Sequence, residues 1–172
     1  MKTSKKDLAA IVGIFAIVAS LIFVGMQIQL ERKVAMADQY FNRAESVKED
    51  YRAQLLSPEY FRAVEENWAL TGETYFSDMD CEEMEQVREG SIRISNVATY
   101  VLIDRLQIVG YDNLYYQYKQ GLLGEDAWLG LRSSMKATMS GSKMSSDIFE
   151  FSARATIRPV VEEILKEIES EQ

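Results

Sequence analysis

From Leu8 to Met26 the chain reads LAAIVGIFAIVASLIFVGM, a run without a charge in which Ser20 is the only hydroxyl. At roughly 1.5 Å of rise per residue, a helix of this length covers about 28 Å, close to the hydrocarbon thickness of a bilayer. Backbone amides and carbonyls find no water in lipid, so a single segment satisfies them only as a helix. The run therefore predicts a membrane span whose partner is lipid. Two other readings compete with it. A secretory signal also places basic residues, here Lys2, Lys5 and Lys6, before an apolar run, and Ala35-Met36-Ala37 has the small-x-small form of a cleavage site. Yet the run exceeds a usual signal core, and Glu31, Arg32 and Lys33 separate it from those small residues. An uncleaved anchor is expected. A buried core helix would need more protein around it than 172 residues supply.

Three of the 19 bases and one of the 27 acids precede the span, which leaves 16 bases against 26 acids after it. That acidic excess argues against nucleic acid or anionic lipid as a partner, because both require clustered Lys and Arg. The chain has one cysteine, Cys81, and no histidine. An intrachain disulfide, a Cys-based zinc cluster, the commonest neutral-pH acid/base group and the usual activator of a nucleophile are thereby removed. Two prolines and nine glycines leave no flexible linker, and no internal repeat is visible.

Ala9, Gly13, Ala16 and Ser20 follow a four-three-four spacing and form one stripe of small residues down the span. The same phase continues through Phe23, Gln27, Leu30, Val34, Ala37, Phe41, Ala44, Lys48, Tyr51 and Leu55, a heptad-like seam with Lys48 as its clearest exception. Proline is absent from Leu8 to Leu56, so one continuous helix is expected, leaving the bilayer at about residues 27 to 33. Small residues at this spacing let a second helix approach closely in lipid. The face Ala9, Gly13, Ala16, Ser20, Gln27, Leu30, Val34, Ala37 and Phe41 is the candidate helix-association surface.

Ser57-Pro58-Glu59 then ends that helix and starts another, with Ser57 as cap and Pro58 where it loses no hydrogen bond. Phe61, Val64 and Trp68 give it a buried face, and Thr71-Gly72 ends it. A second long helical stretch is expected from Met79 to Gln120, with Gly90 and Gly110 as its weak points and Gly121 as its stop. Glu125-Asp126-Ala127-Trp128 opens a further helix. Ser146 or Asp147 is expected to cap another with Ile148, Phe149 and Phe151 inside, and Pro159 begins the last, whose stripe is Val161, Ile164, Leu165 and Ile168. No segment alternates as a half-buried strand would. The expected class is all-α: one N-terminal transmembrane helix (1–30, with its tail) continuing into a long helix, followed by a helical bundle domain (31–172).

Chemistry-bearing patterns are few. Asp78, Asp80 and Glu89 match positions 1, 3 and 12 of a calcium loop, but Glu83 stands where the turn needs Gly and Glu85 where an apolar residue belongs. Carboxylates crowding the first turns of a helix are expected from its dipole alone. Cys81 lies among them, which disfavours its thiolate. Gly121 to Gly124 is followed by no Lys-Ser or Lys-Thr, so it is not a phosphate loop. The missing histidine also excludes the Glu-x-x-His form of a di-iron bundle. No catalytic residue, metal ligand or cofactor is expected, and the chain reads as a non-enzyme.

The most distinctive stretch is Tyr111-Asp112-Asn113-Leu114-Tyr115-Tyr116-Gln117-Tyr118, followed by Gly121-Leu122-Leu123-Gly124-Glu125-Asp126-Ala127-Trp128. Asn113 and Gln117 share one helical face, and Tyr111, Tyr115 and Tyr118 line a neighbouring one. These five are the candidate face for a partner helix or a small ligand; the alternative is a buried seam in which hydroxyls and amides satisfy one another. The pattern Asn-x-x-Tyr-Tyr-Gln-Tyr-x-x-Gly-Leu-Leu with its acidic pair and Trp, together with Val24-Gly25-Met26-Gln27-Ile28, resembles a widespread group of uncharacterised small bacterial proteins with one N-terminal span and a helical domain. Gly124 departs from that pattern, where Asp is usual, and weakens the expected cap on the next helix. The resemblance implies the architecture and a bacterial inner-membrane location, and lends no catalytic residue.

Three lysines precede the span, while Arg32, Lys33, Arg43 and Lys48 follow it. The immediate flanks favour the N-terminus inside, whereas the wider count of bases, and the resembling group with its Arg just after the span, favour a cytoplasmic domain, which is the expected orientation. The expected function is a membrane-anchored interaction protein, either a homo-oligomer or an accessory subunit of a membrane complex. The alternative is a ligand-sensing bundle that acts through a partner.

Overall fold

The computed structural model describes residues 5–171 other than 75, 77 and 80, with side chains from Ile11 onward. The described residues form seven helices and no strand: α1 Lys5–Leu55, α2 Pro58–Thr71, α3 Glu82–Arg88, α4 Ile94–Lys119, α5 Glu125–Gly141, α6 Lys143–Ser152 and α7 Arg158–Glu171. The protein is all-helical, a long apolar N-terminal helix followed by a bundle. It divides into two compact units, Met1–Gln39 and Tyr40–Gln172, and α1 contributes to both.

In the first unit every side chain from Ile11 to Met26 is exposed. Among the described residues, α1 is the one helix long and apolar enough to cross a membrane. Its single hydroxyl in the apolar run needs no outside partner, because Ser20 Oγ donates to the Ala16 carbonyl at 2.8 Å.

The second unit is built on α4. Residues of its first half, Ile94, Val97, Ala98 and Val101, pack with Met84 and Val87 of α3 and Met144 and Ile148 of α6, flanked by Tyr60, Phe61, Val64 and Trp68 of α2. Its second half supplies Ile108 to another cluster, with Trp128, Met135 and Met139 of α5, Phe149 of α6 and Val160, Val161 and Ile164 of α7. The inward stripes read from the sequence for α2 and α7 are the ones used.

Boundaries follow local chemistry. The Tyr60 N–H donates to Ser57 Oγ at 3.1 Å and caps α2. The single helix expected from Met79 to Gln120 is instead two, α3 and α4. Gly90 adopts φ +77°, its N–H donates to Val87 O at 3.0 Å, and the Ser91 N–H donates to Gln86 O at 2.9 Å. That paired closure of a helix end needs a left-handed residue, which glycine supplies without a Cβ clash. Gly121 (φ +74°) ends α4 the same way, with Leu122 N–H on Gln117 O at 3.0 Å. Gly110, by contrast, lies inside α4 and does not interrupt it.

Two expectations for α6 are also corrected. Its cap is Ser142, whose Oγ accepts from the Ser145 N–H at 3.0 Å, rather than Ser146 or Asp147; Ser146 Oγ donates to Met139 O at 2.7 Å. Phe151, expected inside, is 71% exposed. The buried pair Ile148 and Phe149 sets the inward direction, and at about 100° per residue Phe151 stands roughly 110° from their midline.

An ion-pair ladder joins α5 to α7: Arg132 bonds Glu167 and lies 3.2 Å from Glu163, while Lys136 reaches Glu167 at 3.2 Å and Glu171 at 2.6 Å. Hydrogen bonds from Arg132 and then Lys136 hold the Glu167 carboxyl at about 2, below its ordinary 4.5. Its support for α7 is therefore complete above pH 4.5 and lost as pH falls through 2. Thermal midpoints measured on acidification across that window should fall further in the wild type than in Glu167→Gln. In the core, Phe149→Ala should cost about 3–5 kcal/mol, read as a lower urea midpoint at an unchanged m value.

Candidate functional site

Burial around α4 leaves three polar side chains of that helix inside the bundle: Asp104, Asp112 and Asn113. Asp112 is 1% exposed. Tyr40 of α1 donates its phenol to Asp112 Oδ2 at 2.6 Å and lies 3.2 Å from Thr156 Oγ1. Its ring stacks on Tyr116 with centroids 4.1 Å apart and planes within 4°. Arg154 approaches the same carboxyl oxygen at 3.9 Å from a half-exposed position. Among the described residues, Asp112 Oδ1 has no hydrogen-bond partner, and neither has Asn113 Oδ1.

These surroundings set the protonation preferences. Burial raises the Asp112 carboxyl above its ordinary 3.8, against the opposing pull of Tyr40 and Arg154. Burial raises Asp104 likewise, with Ser145 offsetting part of the effect. Burial, and then the neighbouring Asp112, pushes the Tyr40 phenol up, which keeps it a hydrogen-bond donor at neutral pH.

The aromatic face expected from the sequence is packed into the second core cluster. Tyr111 meets the Phe149 ring at 6.2 Å, and Tyr115 and Tyr118 meet Trp128 at 4.8 and 5.4 Å. The Tyr118 phenol donates to Glu125. Asn113 is buried, and the Gln117 carbonyl closes the end of α4. Gly124 caps α5 without any side-chain bond.

The seam on α1 divides by residue. Gly13, Ala16, Ser20, Gln27, Leu30 and Val34 are exposed, as is Phe41, whereas Ala37 is buried; the Ala9 side chain lies outside the described residues. Within the second unit the chain's own bundle takes up part of the seam, and Phe41 stays exposed. Ala44 is 1% exposed, Tyr40 lies on α4, and Lys48, the exception in the pattern, runs its aliphatic stem over Gly110. Its Nζ meets Glu45 at 2.7 Å, so the charge leaves the apolar contact at its tip.

A cleft of about 690 Å³ opens elsewhere on the bundle, with Arg105, Lys143 and Arg158 facing Asp78, Asp147 and Glu150 over Val101 and Ile148. Lys143 pairs with Asp147 at 3.0 Å, and Arg158 donates to Ala153 O at 2.6 Å, so these two bases are already engaged. In the acidic run, Asp78, Glu82, Glu85 and Glu89 are exposed, and Asp80 lies outside the described residues. Cys81 is buried, and burial raises its thiol, with Glu83 adding to the effect.

No family model, curated protein or solved structure matches this chain. Tyr40, Arg154 and Thr156 do not stand out in the sequence, and the signal available there is Asp112 itself, a charge within the aromatic stretch that also holds Tyr116. Tyr40→Phe keeps the ring stack but removes the short hydrogen bond to the buried Asp112 carboxyl. It should lower the stability of the full chain by about 1–3 kcal/mol, measured by chemical denaturation in detergent.

Proposed function

We propose that the chain is a single-pass membrane protein of the bacterial inner membrane, with its bundle in the cytoplasm, that works by association: with copies of itself or as an accessory subunit of a membrane complex. One observation carries the reading. The side chains from Ile11 to Met26 form an apolar cylinder exposed on all sides, while the two core clusters of the bundle draw no residue from α1. In water such a surface is unfavourable at roughly 25 cal/mol per Å²; in lipid it is the ordinary condition of a span.

Gly13, Ala16 and Ser20 supply the close-approach face for a second helix, because a Cβ added at Gly13 would meet no atom beyond its own helical turns within 4 Å, and Ser20 is internally satisfied. Gln27, Leu30 and Val34 extend it. The ligand-sensing alternative draws less support, since Tyr111, Tyr115 and Tyr118 spend their surface on the core. The reading assigns no catalytic role.

The test is the mass of the protein extracted gently from its own membrane, with every co-migrating chain identified. Gly13→Leu with Ala16→Leu should weaken the assembly by about tenfold or more, as expected for loss of roughly 1.4 kcal/mol of helix packing. An unchanged mass distribution in that double variant, or a bare monomer in the wild type, overturns the reading.

A further inference from the structure

We propose that Asp112 is the proton-binding element of a latch that fastens residues 40–55 of α1 to α4, closed when its carboxyl is neutral and loosened when it ionises. The proposal rests on the bundle unit alone and is independent of what the span associates with.

The geometry decides which protonation state fits. Asp112 is 1% exposed, receives one short hydrogen bond, from Tyr40 at 2.6 Å, and leaves Oδ1 bare. A carboxylate in that setting would bury a charged oxygen without a donor, whereas a carboxylic acid buries only a carbonyl-type oxygen. The cation on hand is a weak counterweight, because Arg154 is 3.9 Å away and half in water. Tyr40 from α1 and Arg154 from the α6–α7 connection are the groups that act on the carboxyl. Asn113 adjoins it on α4, Tyr116 stacks on Tyr40, and Lys48 of α1 lies at Gly110, where Glu45 holds it.

The hydrogen bonds can be ordered in both states. In the acid, the Asp112 O–H donates to the Tyr40 oxygen and Tyr40 donates onward to Thr156, across the 2.6 and 3.2 Å contacts. On ionisation the proton leaves to water, the single Tyr40 proton turns to the carboxylate, and the Thr156 contact survives only with Thr156 as donor. Oδ1 then still lacks a partner, and admitting water to it requires α1 to lift from α4.

Burial raises the carboxyl in the closed state above the ordinary 3.8 that it regains when the latch opens. Closure is therefore fully supported below 3.8 and that support is lost as pH rises through the closed-state value. Between the two, each unit of pH lowered makes opening about tenfold rarer.

Hydrogen exchange of the full chain in detergent, from pH 4.5 to 7.5 and corrected for intrinsic rates, tests this. Amides of residues 40–55 should gain protection as pH falls, while Asp112→Asn, which is permanently neutral, should show a flat profile there. Arg154→Gln should move the wild-type midpoint upward, because the cation favouring the carboxylate is gone. Asp104→Asn, which alters the other buried acid, should leave the α1 profile intact. Should Asp112→Asn fail to fold, carbon-13 titration of the Asp112 carboxyl in the wild type stands in, and its midpoint must coincide with that of α1 protection. Protection of α1 that ignores pH, that keeps its pH dependence in Asp112→Asn, or that follows Asp104 overturns the latch.

Discussion

The inward side of helix α4 has to be covered along its whole length, and the bundle is the set of elements that covers it. Its first half is closed by α2, α3 and α6, its second by α5, α6 and α7, and Tyr40 and Lys48 of α1 lie along it as well. Val97, Ala98, Val101 and Leu102 lie on one side of the helix and are all buried, while Tyr100 and Ile103 on the other side are exposed. Polar side chains on that buried side cannot reach water. Asp104, Asp112 and Asn113 must be satisfied from inside the fold or carry the penalty of being left bare.

That constraint accounts for why the helix-level organisation was legible in the sequence and the site was not. Ser57-Pro58, the Gly72 and Gly121 stops, and the stripe Val161, Ile164, Leu165 and Ile168 are short-range patterns, each enforced by backbone chemistry within a turn or two. The break at Gly90 is equally local, yet the residues on both sides keep a helical period, so periodicity hid it. Phe151 failed for a related reason: a hydrophobic residue near the inward face is ambiguous until its neighbours Ile148 and Phe149 fix the direction. Tyr40 and Asp112 are 72 residues apart, and no spacing rule reaches that far.

The seam on α1 shows how one periodic pattern can run through two settings. In the segment 11–26 the small residues of that phase stand exposed on an apolar helix surface. From Tyr40 onward the chain's own bundle takes up part of that phase, with Ala44 buried and Lys48 laid across Gly110, while Phe41 stays exposed. Lys48 looked like a fault in a heptad because a coiled-coil seam has no place for an amine. Against a single helix with a glycine at the crossing, the stem is useful apolar surface and the amine finds Glu45 at the edge.

Glu167 and Asp112 are both carboxyl groups held by the bundle, and their preferences run in opposite directions for a countable reason. Glu167 lies partly in water with donors on both oxygens, Arg132 on each and Lys136 on one. Its charge is better served in the folded chain than in the unfolded one. Asp112 has a phenol on one oxygen and nothing on the other, with its cation held at a distance. Adding a donor to Oδ1 would turn it into a second Glu167 and fasten α1 irrespective of pH. A core shaped only for stability would have that donor or an apolar residue in place of the acid. What the fold keeps instead is a carboxyl whose neutral form fits and whose charged form does not, at the point where α1 meets the buried axis of the bundle.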